Sequence, residues 1–194
     1  MTTDKKDARQ DGSVSVDLRD AIAVVTFGHP KSNSLPGALL RTLASEISRI
    51  AGNSAIKAIV LRSEGTGAFC AGASFDELKA ISDAASGREF FSGFAGVVLA
   101  MIRAPQFVVA RVHGKVTGGG VGLVAASDYS IATKDAALKL SELAVGIGPF
   151  VIGPVVERKV GRGPFQAMSV DADWRSAEWG PGCSRSRCFA RSTS

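Results

Sequence analysis

"GKVTGGGVGL", residues 114–123, sets three consecutive glycines between the apolar run "FVVARV" (107–112) and a second stretch of small apolar residues. A buried strand that runs into a glycine turn and then a helix is the local signature of an α/β chain. The missing side chains let something approach the backbone closely. Phosphate is a poor fit. A Walker loop needs Gly-x4-Gly-Lys-Ser/Thr, whereas Gly114-Lys115 leads to Val116 and the upstream glycine is absent. The dinucleotide pattern GxGxxG fails too, because Gly118 and Gly120 lead to Leu123. His29 and His113 are the two histidines and there is no GxSxG elbow, which argues against a serine hydrolase.

A second loop has the same make-up. "EGTGAFCAGAS" (64–74) follows the apolar strand "IKAIVLRS" (56–63) and opens a helix at "FDELKAI" (75–81). Backbone N–H groups at a helix start are unpaired donors in a positive local potential. Two of them converging from different loops would make an oxyanion hole. The plainer alternative is that these glycines only permit tight turns and close helix packing.

The remaining elements follow from periodicity. "SVSVDLRDAIAVVTF" (13–27) reads as two strands joined at Arg19-Asp20. "LPGALLRTLASEISRI" (35–50) has Leu39, Leu43, Ile47 and Ile50 at helical spacing, with Pro36 suited to the first turn. A helix near 87–103 carries "FFSGFAGVVLAMI", "GVGLVAAS" opens a small-residue helix, "YSIAT" reads as a strand, and 165–179 keeps helical character. Residues 1–12 form a polar leader expected to be mobile, 13–179 a single core domain, and 180–194 an irregular basic tail.

Composition bounds the function. The 194 residues are enough for one domain with a real core, and 45% apolar with 21% charged residues fits a globular chain. The net charge is +5, and residues 175–194 hold four arginines against Glu178 alone. A charged tail without a basic face interleaved with aromatics does not point to nucleic acid. No apolar run approaches the ~18 residues of a membrane span. The charged start lacks an apolar signal region, so the cytoplasm is the expected compartment. Cys70, Cys183 and Cys188 are odd in number and without CxxC spacing, which argues against a disulfide scaffold or zinc site. Cys70 reads as a small buried hydrophobe.

Taken in order, "GHPKSNSL" (28–35), "GAFCAGASFDEL" (67–78), "RVHGKVTGGGVGLVAASDYSIAT" (111–133) and "LKLSELAVGIGP" (138–149) resemble the crotonase, or enoyl-CoA hydratase/isomerase, superfamily. The likeness covers about residues 13–179. It implies an α/β, crotonase-like superhelical ββα core, with the C-terminal helical part of the family largely missing. It also implies an acyl-CoA substrate whose thioester oxygen sits on the N–H groups of Ala73 and Gly119. Lys31, Ala71, Gly72, Ala73, Ser74, Phe75, Gly118 and Gly119 are the implied CoA and substrate contacts.

Two glutamates serve hydration in the family. The first falls on Gly122, which has no carboxylate, and the second on Glu142. One acid can still move a proton between two carbons on one face. The resemblance therefore tilts toward double-bond isomerisation over hydration, with no metal or redox cofactor. The alternative is an acyl-CoA-binding or structural chain impaired by the missing acid and the shortened end. Desolvation among Leu140, Leu143 and Ile147 would raise the Glu142 pKa toward neutrality. Asp128 is implied to be structural and His113 reads as a turn residue. The family forms trimers or hexamers, which the loss of its C-terminal helices puts in question. "GPGCSRSRCFARSTS" (180–194) has the look of an out-of-frame reading of a GC-rich gene.

Overall fold

The computed structural model describes residues 11–179 and 190–191, so most of the leader and tail lies outside the described residues. Strands β1 (Ser13–Arg19) and β2 (Ile22–Gly28) form an antiparallel hairpin with Arg19 opposite Ile22. Asp20 makes the reversal at φ 53°, a conformation that a short polar side chain tolerates. Beyond Ile22, β2 is buried along its length, because it pairs parallel with β3 (Ala58–Ser63) and is covered by helices.

Helix α1 (Gly37–Ala51) crosses between β2 and β3 and buries Leu39, Leu40, Leu43, Ile47 and Ile50. Pro36 stands just outside the helix with ψ 157°, and its carbonyl accepts from the Leu40 N–H. The proline is thus the cap residue, one step earlier than its usual first-turn place. The link from β3 to β4 (Phe107–Val112) holds α2 (Phe75–Lys79) and α3 (Ala84–Arg103). Asp83 and Ser86 close a reciprocal capping box at the start of α3, so the helix begins three residues before its apolar pattern suggests.

By length and composition α3 is apolar enough to cross a membrane, contrary to the expectation from apolar runs. Its Phe, Val, Leu, Ile, Met and Ala residues raise the average, while Ser86, Arg88, Glu89 and Ser92 interrupt the apolar run. In the fold Phe94, Val97, Val98 and Met101 are buried, and α3 packs on α1.

After β4 come β5 (Val116–Thr117), α4 (Gly119–Ala126), β6 (Tyr129–Ala132) and β7 (Ala137–Lys139). A 3-10 turn (Leu143–Val145), α5 (Gly153–Val160), α6 (Arg162–Asp171), β8 (Arg175–Ser176) and β9 (Ala190–Arg191) complete the described chain. The main sheet runs β1-β2-β3-β4-β6-β9 and is parallel from β2 onward; β5-β7-β8 form a smaller sheet. The helical character expected through residue 179 stops at Asp171. Ala172 turns left-handed at φ 49°, and Arg175–Ser176 pairs with β7 instead.

The core holds both glycine loops in place. Phe27 and Phe69 meet edge to face at 5.4 Å and are fully buried. Each such ring is worth roughly 1.5–3 kcal/mol of burial. Cys70 bridges to Val116, and Leu35 to Ala73, so the first loop is pinned from two sides.

Candidate active site

The first loop leaves β3 and doubles back at Gly72, whose φ of +86° disfavours any side chain. Buried Asn33 anchors it by donating to the carbonyls of Glu64 and Ala68. Leu35 donates to the Gly72 carbonyl at 2.8 Å. Gly72 lies close to the second loop: a Cβ there would be 3.1 Å from the Thr117 oxygen and 3.7 Å from the Gly119 nitrogen. The second loop turns at Gly118 (φ 52°, ψ −125°), and α4 starts at Gly119.

Ala73 and Gly119 are the expected donors. Among the described residues neither N–H has a backbone acceptor outside its own element, whereas Gly118 donates to Lys139 and Val121 to Gly118. Gly119 must be glycine for a second reason, since a Cβ would stand 2.6 Å from the Phe94 ring. The aromatic ring thus occupies the space that the glycine vacates.

A cleft of about 170 Å³ opens at this point. Ala71, Gly72, Ala73, Ser74, Phe75, Gly118, Gly119 and Glu142 all line it, so seven of the eight implied contacts and the implied acid come together. Its far wall is apolar, with Phe90, Phe91 and Phe94 from α3 and Ile147, Val151 and Ile152 from the segment before α5.

Glu142 caps the 3-10 turn beside the second loop. A Cβ on Gly118 would be 3.5 Å from Glu142 Oε1, while buried Oε2 has no hydrogen-bond partner among the described residues. Desolvation pushes the carboxyl above its ordinary range, partly offset by the backbone N–H groups of Glu142 and Ser141. The expected source of that burial needs correction. Leu143 is half exposed and Leu140 is sunk in the core, while Ile147 does line the cleft. The helix expected near 87–103 supplies Phe90, Phe91 and Phe94 to the lining, while the part of Val151 and Ile152 is not announced by the local sequence.

Gly122 does more than lack an acid. A Cβ there would lie 2.8 Å from Ile152 Cβ and closer still to its Cγ2. Ile152, the cap residue of α5 and 2% exposed, fills that place.

The outer contacts are less direct. Lys31 does not line the cleft and pairs with Asp76 at 2.6 Å, both side chains well exposed. Lys31 first and Lys79 second hold the Asp76 carboxyl below its ordinary range. Ser74 caps α2 by accepting from the Glu77 N–H. Phe75 is more than half exposed, with the Lys79 ammonium 5.0 Å from its ring centre. Ala71 gives its N–H to the Ser32 carbonyl, which leaves only its own carbonyl to bond a ligand.

Three other readings have plain outcomes. Asp128 accepts from the Val108 N–H at 2.8 Å, tying α4 to β4. His113 sits edge-on to Phe69, outside the cleft, with both ring nitrogens buried and without a hydrogen-bond partner among the described residues. Its pKa falls by burial and by the charge of Arg111. Cys70 is fully buried and its thiol is pushed up to about 12, so it is an inert packing group.

Comparison with known proteins gives the family and the fold. The family model for enoyl-CoA hydratase/isomerase matches residues 17–178. The chain belongs to that family. YngF of Bacillus subtilis, whose name is that of an enoyl-CoA hydratase/isomerase, is 35% identical over 145 residues, or 73% of this chain and 55% of YngF. A Mycobacterium tuberculosis protein named as a (7aS)-7a-methyl-1,5-dioxo-2,3,5,6,7,7a-hexahydro-1H-indene-carboxyl-CoA hydrolase is 33% identical over 160 residues, 78% of this chain and 62% of that protein. The crystal structure of an enoyl-CoA hydratase from Mycobacterium smegmatis superposes with a TM-score of 0.83 at 30% identity, covering 92% of this chain and 68% of that one. The fold is therefore the crotonase fold. The chain spans less than two thirds of the length of either curated relative. The names of those relatives differ in the bond acted on, so the choice of reaction depends on the residues of this cleft.

Proposed function

We propose that this chain binds an enoyl-CoA thioester and shifts its double bond, with Glu142 as the single acid–base group. The thioester oxygen takes the Ala73 and Gly119 N–H groups. Carboxylate Oε2 of Glu142 removes a proton from Cα of a 3-enoyl thioester, and the electron pair moves onto the oxygen as a dienolate. The same proton then returns at Cγ, and the double bond comes to rest between Cα and Cβ. Nothing is oxidised or reduced, and the reaction needs no metal or redox cofactor.

One observation carries the preference for isomerisation over hydration. Among the described residues Glu142 is the sole carboxylate lining the cleft, and its partner position is a glycine. Adding water across C2=C3 calls for one group to hold and deprotonate water and another to deliver the α-proton, whereas a proton shift on one face needs one. The raised pKa suits both halves of such a transfer.

Titration with acetoacetyl-CoA tests the binding half of this reading. Its enolate should appear as a new ultraviolet band that saturates with the ligand. A chain that binds without the band lacks the oxyanion hole, and the proposal fails.

A further inference from the structure

Gly122 and Ile152 fit together as one unit. The glycine lies in the second turn of α4, where the chain offers no side chain; the isoleucine projects from the cap of α5 into that space. With a Cβ-to-Cβ separation of only 2.8 Å, no side chain at 122 can coexist with Ile152 in this backbone. Replacing Ile152 by alanine would not relieve the contact, because the alanine keeps the offending Cβ. Glycine would, since the next atom, Ile152 Cα, is 3.8 Å away, an ordinary contact. A helix cap is also a position where glycine is well accepted.

The chemical consequence concerns water. A bound water needs two to four polar partners to be held in a defined place. Ile147, Val151, Ile152 and Phe94 line the cleft with apolar side chains, while its polar side chains are those of Ser74, Ser141 and Glu142. A water against Ile152 would meet an apolar side chain where a second acid would otherwise hold and deprotonate it.

We propose that Ile152 is a specificity-determining residue, whose side chain fills the volume of the absent acid and keeps hydrating water from being held against the substrate. Positions 122 and 152 then act together in confining the site to the double-bond shift. This rests on the isomerase reading above and assigns its selectivity to a particular contact.

The test has a packing arm and a reaction arm, both on the full chain. In the packing arm, thermal unfolding is measured for Gly122→Ala with Ile152 present and with Ile152→Gly. Gly122→Ala should lower the midpoint in the first background and leave it unchanged or raise it in the second. If Gly122→Ala is harmless beside Ile152, the steric assignment is overturned.

In the reaction arm, hydration of a 2-enoyl-CoA and isomerisation of a 3-enoyl-CoA are compared in the parent and in Gly122→Glu/Ile152→Gly. The hydration-to-isomerisation ratio should rise by about tenfold or more, a part of the ~10²–10⁴ that a well-positioned acid–base group supplies. Gly122→Asp/Ile152→Gly gives the same readout with a shorter side chain should the glutamate fail to seat. A double variant that keeps the acetoacetyl-CoA enolate band but not the altered ratio overturns the role of Ile152. A parent chain without isomerase activity overturns the isomerase reading itself, and the packing arm still reports on the contact.

Discussion

Two parts of the site hold opposite solutions to the same packing problem. At one, Glu142 is drawn out of water and its Oε2 has no hydrogen-bond partner among the described residues. At the other, Gly122 offers no side chain and Ile152, which lines the cleft, fills the space. A buried carboxylate oxygen without a partner costs folding free energy, about 1–3 kcal/mol for a neutral group and more for a charged one. A filled apolar contact stabilises. The costly arrangement stands where the proposed reaction moves a proton, and the stable one where that reaction needs none. That asymmetry is the physical content of the isomerase proposal.

The sharpest way to break the comparison is to neutralise the costly side. Glu142→Gln should lower turnover by about 10²–10⁴, the usual share of a general acid–base group. Acetoacetyl-CoA affinity should stay close to the parent value, and thermal stability should not fall. Loss of affinity in proportion to turnover would make Glu142 a binding residue.

The oxyanion loops come next. Gly119→Ala drives a methyl group into the Phe94 ring and displaces the N–H that the oxygen needs. Isomerisation should drop by ~10²–10³, the typical effect of losing one such donor, and the enolate band should weaken with it. An unchanged band would show that the oxygen binds elsewhere.

The pH profile is a gentler probe. Glu142 must be ionised to act as a base, and its pKa is raised by burial. Isomerisation kcat/KM should therefore rise with pH through a value above the ordinary glutamate range, and the limb should vanish in Glu142→Gln. The folded state binds this proton more tightly than the unfolded chain. Its contribution to stability is thus full below the ordinary carboxylate range and is lost as pH rises toward the raised value.

The smallest effect belongs to the rim. Lys31 and Asp76 form an exposed pair, which salt and solvent weaken. Lys31→Ala should raise KM for the CoA ester a few-fold with kcat unchanged, as measured by initial rates. A drop in kcat would place Lys31 nearer the chemistry than its exposure allows.

Much of this was legible in the sequence because the informative signals are local. Glycine loops after apolar strands, the helical spacing of Leu39, Leu43, Ile47 and Ile50, and the apolar runs of β3 and β4 each lie within about a dozen residues. Ala73, Gly119 and Glu142 were readable by register with the family, and all three line one cleft. Long-range contacts were not readable. Nothing in "VIGPVVERKV" marks Ile152 as the residue that packs onto Gly122, because the two are brought together by the α4–α5 crossing alone. The engagement of Lys31 by Asp76, and of the Ala71 N–H by Ser32, also joins residues distant in sequence. The end of α6 was overread because apolar residues continue after Ala172, where a left-handed residue and the pairing of β8 with β7 take over.

The measurement that bears most directly on the central claim is the conversion of a 3-enoyl-CoA to its 2-enoyl isomer, followed beside hydration of that product, in the parent chain and in Glu142→Gln. Isomerisation should outpace hydration in the parent and nearly disappear in the variant. Hydration faster than isomerisation, or isomerisation that survives the loss of Glu142, would contradict it.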